Sequence, residues 1–342
     1  MYAERQNLYK QLADLRQTGV ITLVTGDRPG LETQIASDSV QFIGDLLDYY
    51  QDFEKISLIL YTRGGDTLAA WSLVNLLREF CTKLEIIIPA KCHSAGTLIC
   101  LGADQLVMTK QATLGPIDPS VNTPLNPSIP GKPDELRFPI SVEDVAGFIE
   151  MAKSEGGLSS QEQLGQVYLK LATDVHPIAL GRVQRARGQI QKLATKLLSM
   201  HMQNKKKIRT ITRALCTDAG SHDYMIYRTE ARKTLGLNIE TPNPEFYKLI
   251  NAIYQDFRSE MALDYPYNPT IILGDKDELD YDIRRVLVET QDDGGFQWIR
   301  RGNIKKIKQD IAGPNGEVIQ SSIQITDDVL SDKWEQIPWP LS

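Results

Sequence analysis

No run of about eighteen apolar residues occurs in this chain, so no transmembrane helix is expected. The N-terminal stretch MYAERQNLYKQLADLRQTG is charged throughout and lacks the apolar core of a secretory signal. Cysteine and histidine are scarce, four of each. Cys81, Cys92, Cys100 and Cys216 show neither zinc spacing nor a CxxC pair, so no metal or cofactor is expected from them. Without a secretory signal they read as reduced thiols and small buried hydrophobes. An excess of basic charge is also missing: 38 Lys and Arg against 44 Asp and Glu give a net charge of −6, with no global drive toward nucleic acid. These absences point to a soluble cytoplasmic protein. Its 342 residues, 42% apolar and 24% charged, suffice for one large domain or two smaller ones.

What is present centres on residues 86–119, IIIPAKCHSAGTLICLGADQLVMTKQATLGPIDP. Ile86-Ile87-Ile88 reads as a buried strand. A small-residue turn, His93-Ser94-Ala95-Gly96, leads into an apolar run of helical length from Thr97 to Ala103. A serine at a strand-to-helix turn is either a capping residue, the commoner case, or a nucleophile beside a helix N-terminus that stabilises developing negative charge. A second stretch, ISLILYTRGGD, is a strand that ends in Arg63-Gly64-Gly65. Paired glycines let the backbone turn and leave amide N–H groups bare. An amphipathic helix is expected over Thr67–Phe80.

TRGGD, then SAGTLICLGAD about thirty residues later, then LGPIDP, resembles the Clp-protease/crotonase superfamily. The closer likeness is to the serine dehydrogenase proteinase family, a cytosolic relative of signal peptide peptidase A. The resemblance runs roughly from Gly19 to Leu237. It implies an α/β fold, a Clp-protease/crotonase-like β-β-α spiral, here with a small β-rich C-terminal appendage. It also implies a serine peptidase working as a homo-oligomer on peptide or protein substrates, with no cofactor and no metal. Membrane-bound relatives carry a spanning segment that this chain lacks.

In chain order, residues 1–18 read as a helix, 19–240 as the Clp/crotonase-like core, and 241–342 as a helix with a β-rich extension. Residues 115–139 are proline-rich and read as a long loop. Helices are expected over 142–153, 160–173 and 177–213. The last carries ten Lys and Arg and no acid from Arg182 to Arg213. Either it is a solvated or oligomer-facing helix, or it is a surface for an anionic partner such as nucleic acid. Aromatics do not interleave with the basic residues, which disfavours single-strand stacking. Thr270–Leu273, Arg285–Val288, Phe296–Ile299 and the stretch from Val318 alternate like short strands. Trp298, Trp334 and Trp339 are expected to pack within them, the alternative being a partner surface.

Acyl transfer needs a nucleophile, a base and an oxyanion hole. Ser94 is the expected nucleophile. The resemblance implies a hole made by the amides of Gly64 or Gly65 and of Ala95. Clp proteases take a histidine some twenty-five residues after the serine, where this chain has Thr113–Asp118. Signal peptide peptidase A takes a lysine some forty to fifty residues after it, and here Lys132 and Lys153 only bracket that region. His222 stands beside Asp223, at the interval before Glu230-Ala231 where Clp proteases place their aspartate. The expected triad is therefore Ser94 and His222, with Asp223 or Asp118 orienting the imidazole and Lys153 as the alternative base. Two rivals use the same fold: a catalytically inactive scaffold, and a crotonase-type acyl-CoA enzyme.

Overall fold

The structure is a computed structural model that describes residues 2–48, 53–118, 120–129, 131, 136–217, 221, 223–292, 294–312 and 318–337. In chain order the elements are α1 Tyr2–Arg16, β1 Gly19–Thr25, α2 Ser37–Leu47, β2 Phe53–Tyr61, α3 Thr67–Phe80, β3 Cys81–Ile88, β4 Lys91–Cys92, α4 Ala95–Cys100, β5 Gln105–Met108, β6 Thr113–Leu114, β7 Ser120–Val121 and β8 Ile140–Ser141. They continue with α5 Val142–Ser154, α6 Gln161–Asp174, α7 Pro177–Ser199, α8 Lys205–Cys216, β9 Ile226–Tyr227, α9 Arg228–Lys233, β10 Ile239–Glu240, α10 Pro244–Glu260, α11 Pro269–Leu273, β11 Glu278–Thr290, β12 Gly295–Ala312 and β13 Val318–Ile337.

The main sheet has the order β10-β5-β3-β2-β1-β11-β12-β13. Its first five strands run parallel and its last three are antiparallel. Strand alternation divides the apolar residues between two faces. Leu58 and Leu60 of β2 pack with α2, α3, α4, α7 and α8 on one side. Ile59 and Tyr61 pack with α1 and α10 on the other. Nearly continuous apolar strands such as Ile56–Tyr61 and Leu84–Ile88 are what a parallel sheet covered on both faces requires.

A second, smaller sheet runs across the ends of the main strands. After β1 the chain pairs Ile35 with Gly65, after β2 it pairs Thr62 with Cys92, and β4 pairs with β6 and β6 with β9. Each turn is therefore a main-sheet strand, a short ledge strand and, in the first three turns, a helix. This is the β-β-α spiral.

The C-terminal segment is β-rich, as expected, but its form differs from four short strands. β11, β12 and β13 are 13, 18 and 20 residues long, and β11 pairs directly with β1. Thr270–Leu273 lies in a short helix, because Asn268 caps it and Pro269 suits its first turn. Trp298 and Trp334 meet edge-on at 5.7 Å and, through Phe42, pack on α2. Trp339 lies outside the described residues. The long basic helix is two helices, broken at 200–204, where Asn204 caps α8 through Lys207 N at 3.0 Å.

Candidate active site

Thr62 fixes the glycine turn. Its Oγ1 accepts from Thr25 Oγ1 at 2.7 Å and from the Gly64 N–H at 2.9 Å. Asp66 then caps α3 by accepting from Leu68 N at 2.6 Å and Ala69 N at 3.2 Å. Gly64 and Gly65 have φ of +119° and +145°, a region that L side chains rarely enter. Ile35 takes one edge of this turn: its N–H donates to Gly64 O and its carbonyl accepts from Asp66 N, both at 2.8 Å. The Gly65 N–H takes no part in this pairing. It has no acceptor among the described residues.

Ser94 sits at φ +50° and ψ −115°, the N-cap of α4, and is half-buried. This is a strained position for a residue with a side chain. Neighbouring contacts hold it. Gly96 lies where a side chain would strike Thr62 and Cys92. Thr97 Oγ1 donates to Gly115 O at 2.7 Å and accepts from Gly115 N at 3.1 Å, clamping the following loop onto α4. The Ser94 Oγ makes no hydrogen bond among the described residues, and the Ala95 N–H has no acceptor there. A methyl group built on Gly64 would stand 2.8 Å from Ser94 Cβ and 3.2 Å from Ala95 N. Gly64, Ser94 and Ala95 are thus in direct contact across the turn, while the Gly64 N–H itself is engaged by Thr62.

The other sequence-derived candidates are placed differently. His222 lies outside the described residues. Asp223 is exposed, and its backbone N–H donates to Ser221 Oγ at 3.2 Å. Asp118 is buried and accepts from Ser141 Oγ at 2.9 Å. Lys153 lies on the exposed side of α5, 3.6 Å from Glu150, in a separate cleft. The structure brings Gly64, Ser94 and Ala95 together, with Gly65 next in the chain and packed on Ile35, but neither Lys153 nor Asp223 hydrogen-bonds to Ser94. The His93 ring turns away from Ser94: its Nε2 is 2.8 Å from Thr113 Oγ1. Cys92 is buried, with Sγ 3.4 Å from that of Cys100, and burial pushes its thiol well above the usual range. It is an inert thiol. Thr62, Thr97 and Asp66 escape a reading of sequence alone. Only Asp66 carries a signal, as an N-cap residue directly before an apolar periodic run.

Residues 37–135 match the family model described as ClpP-like SDH-type serine proteinase. That span contains Gly64, Gly65, Ser94, Ala95 and Asp118. Among curated proteins, uncharacterized protein MJ0137 of Methanocaldococcus jannaschii is 25% identical over 77% of this chain and 83% of its own length. Uncharacterized protein MJ1495 of the same organism is 26% identical over 62% of this chain and 63% of its own length. Among solved structures, a complex of the 1510-N membrane-bound stomatin-specific protease with a substrate peptide is 17% identical, covering 62% of this chain and 73% of that one at a TM-score of 0.37. ClpP1 from Listeria monocytogenes is 12% identical, covering 70% and 99% at 0.36. Among the described residues, no helix is long and apolar enough to cross a membrane.

Proposed function

We propose that this chain is a serine peptidase that hydrolyses peptide bonds through an acyl-enzyme on Ser94. The observation that carries this reading is the strained Ser94 turn packed against Gly64, with two neighbouring amides, Gly65 and Ala95, that have no acceptor among the described residues. In the reaction Ser94 Oγ attacks the scissile carbonyl carbon and passes its proton to a base. The carbonyl oxygen becomes an oxyanion held by the Ala95 N–H and by Gly65, or by Gly64 once Thr62 releases it. The tetrahedral intermediate expels the amine, which takes the proton, and water then repeats the sequence on the ester. One such donor is worth about 3–4 kcal/mol in the transition state.

His222 is the proposed base, oriented by Asp223 or Asp118, with Lys153 as the alternative. Strand direction supports His222. β9 runs antiparallel to β6 and β6 parallel to β4, so residues before Ile226 run toward the same end of the small sheet as residues after Cys92. Residues 19–240 form the catalytic core in this reading. The chain works in the cytoplasm as a homo-oligomer, a compartment consistent with four free buried thiols.

Intact-mass spectrometry after fluorophosphonate treatment tests the proposal on wild type, Ser94→Ala, His222→Ala and Lys153→Ala. One adduct, absent in Ser94→Ala and in one base variant, is expected. No adduct on folded wild type favours the inactive-scaffold reading, for which the motivating observation is that no base touches Ser94 among the described residues.

A further inference from the structure

Away from Ser94, a cleft of about 970 Å³ opens between α5, α6, α7 and the end of α8. Its floor is apolar: Val142 and Val183 belong to a small buried cluster beneath it. Three cations converge on it from three helices, Lys153 of α5, Arg187 of α7 and Arg213 of α8. Among the described residues one acid, Glu150, lines the same cleft and reaches Lys153 only through the exposed i,i+3 pair, which holds little. Arg187 is half-buried and meets no carboxylate among the described residues. A guanidinium drawn partly out of water above an apolar floor is poised for a carboxylate.

The cleft adjoins the Ser94 site through one wall. Residues 113–118 pass His93 on one side, where a methyl on Gly115 would stand 3.0 Å from His93 Cβ. On the other side Ile117 N donates to Leu215 O at 2.8 Å, and Asp118 accepts from Ser141. Ser141 directly precedes Val142 of the cleft floor, and Leu215 stands two residues before Thr217 of its rim.

We infer that this cleft is a recognition subsite for polypeptide segments that combine acidic with apolar side chains. Its role in selecting substrates rests on the peptidase reading, whereas its binding chemistry does not. One aromatic, Tyr168, lines it among the described residues, but Glu150 and the apolar floor interrupt the basic lining that a nucleic-acid groove would present to phosphates.

The test is fluorescence anisotropy on Ser94→Ala protein, so that cleavage does not intrude. The probes are a labelled peptide of alternating leucine and glutamate and its leucine–glutamine counterpart. The acidic peptide is expected to bind about ten- to a hundredfold tighter. Arg187→Ala removes most of that preference and Arg187→Lys restores part of it. Arg209→Ala, exposed on α8 outside the cleft, changes it less than about twofold, as expected of a distant surface charge. Equal binding of the two peptides overturns the inference. So does a preference that survives Arg187→Ala or falls equally in Arg209→Ala. Stronger binding of a single-stranded oligonucleotide that displaces the acidic peptide also overturns it. A protein that takes no fluorophosphonate yet keeps an Arg187-dependent preference loses the peptidase reading and retains this one.

Discussion

Gly64→Ala separates the chemistry of the Ser94 turn from its stability. The new methyl meets Ser94 Cβ at 2.8 Å, His93 O at 3.1 Å and Ala95 N at 3.2 Å. Ser94 is already held at φ +50° and has no easy retreat. The backbone cost of a side chain at φ +119° is about 1–3 kcal/mol. For a chain of this size that lowers Tm by about 1–4 °C. The effect on reactivity is larger. The methyl stands beside the Ala95 N–H at nearly the distance an accepting oxygen would take, and blocking one donor costs about a hundred- to a thousandfold. The assay is the rate of fluorophosphonate labelling of Ser94, followed by intact mass beside a thermal scan. Gly157→Ala is the control: its φ is +65° with nothing within 4 Å of the added methyl, so it carries backbone strain alone. It should lose about 1 kcal/mol and label at the wild-type rate. A folded Gly64→Ala that labels as fast as wild type would refute the placement of the hole.

Three further perturbations follow from the same geometry. Ser94→Gly should be more stable than Ser94→Ala by about 1–2 kcal/mol in denaturant unfolding, since only glycine relieves the turn at φ +50°; equal stabilities would show that the strain is absent. Glu85 is buried, which alone would raise its carboxyl, but hydrogen bonds from Arg16 and Ser57 and the charge of Lys55 outweigh burial and hold it below its ordinary value of 4.5. A depressed folded value means a contribution fully present above the unfolded value and lost as pH falls through the folded one. Glu85→Gln should therefore cost about 3 kcal/mol at neutral pH, with the gap to wild type closing in acid; a gap independent of pH contradicts this. Arg5→Ala leaves Glu289, which is fully buried and 2.5 Å from Arg5, without its cation and with only the Tyr9 hydroxyl as donor among the described residues, and should cost about 3–5 kcal/mol by urea unfolding. A loss under 1 kcal/mol would mean that α1 is held by its apolar face alone.

The main sheet is legible in the sequence because its signal is local. Apolar runs at Ile56–Tyr61 and Leu84–Ile88, each followed by a helix-period stripe or a small-residue turn, give strands and crossovers without tertiary information. The C-terminal hairpin is not legible in this way. β12 and β13 pair over nearly their whole lengths, so polar stretches such as Asp327-Asp328 are strand by pairing rather than by propensity. The break at 200–204 is hidden for the opposite reason: Met200, Met202 and Gln203 are good helix formers, and only the side chain of Asn204 marks the new start.

The site divides along the same line. Gly64 and Gly65 are readable because backbone at φ +119° and +145° all but demands glycine, and Ser94 because it stands between a strand and an apolar helical run. Positioning residues are not, since any hydroxyl of the right reach would serve as Thr62 or Thr97 does. The spiral explains why these parts meet although Gly64 and Ser94 are thirty residues apart. Successive turns lay Ile35, residues 62–65 and residues 91–93 side by side on one ledge. The backbone of each turn is consumed by the next, except where glycine turns one amide out. Gly65 is one such place: Ile35 takes the groups on either side of it, and its N–H meets no acceptor among the described residues. The ledge that builds the sheet edge therefore also supplies the bare donor, and a side chain at Gly65 would strike the Ile35 backbone that sets the arrangement.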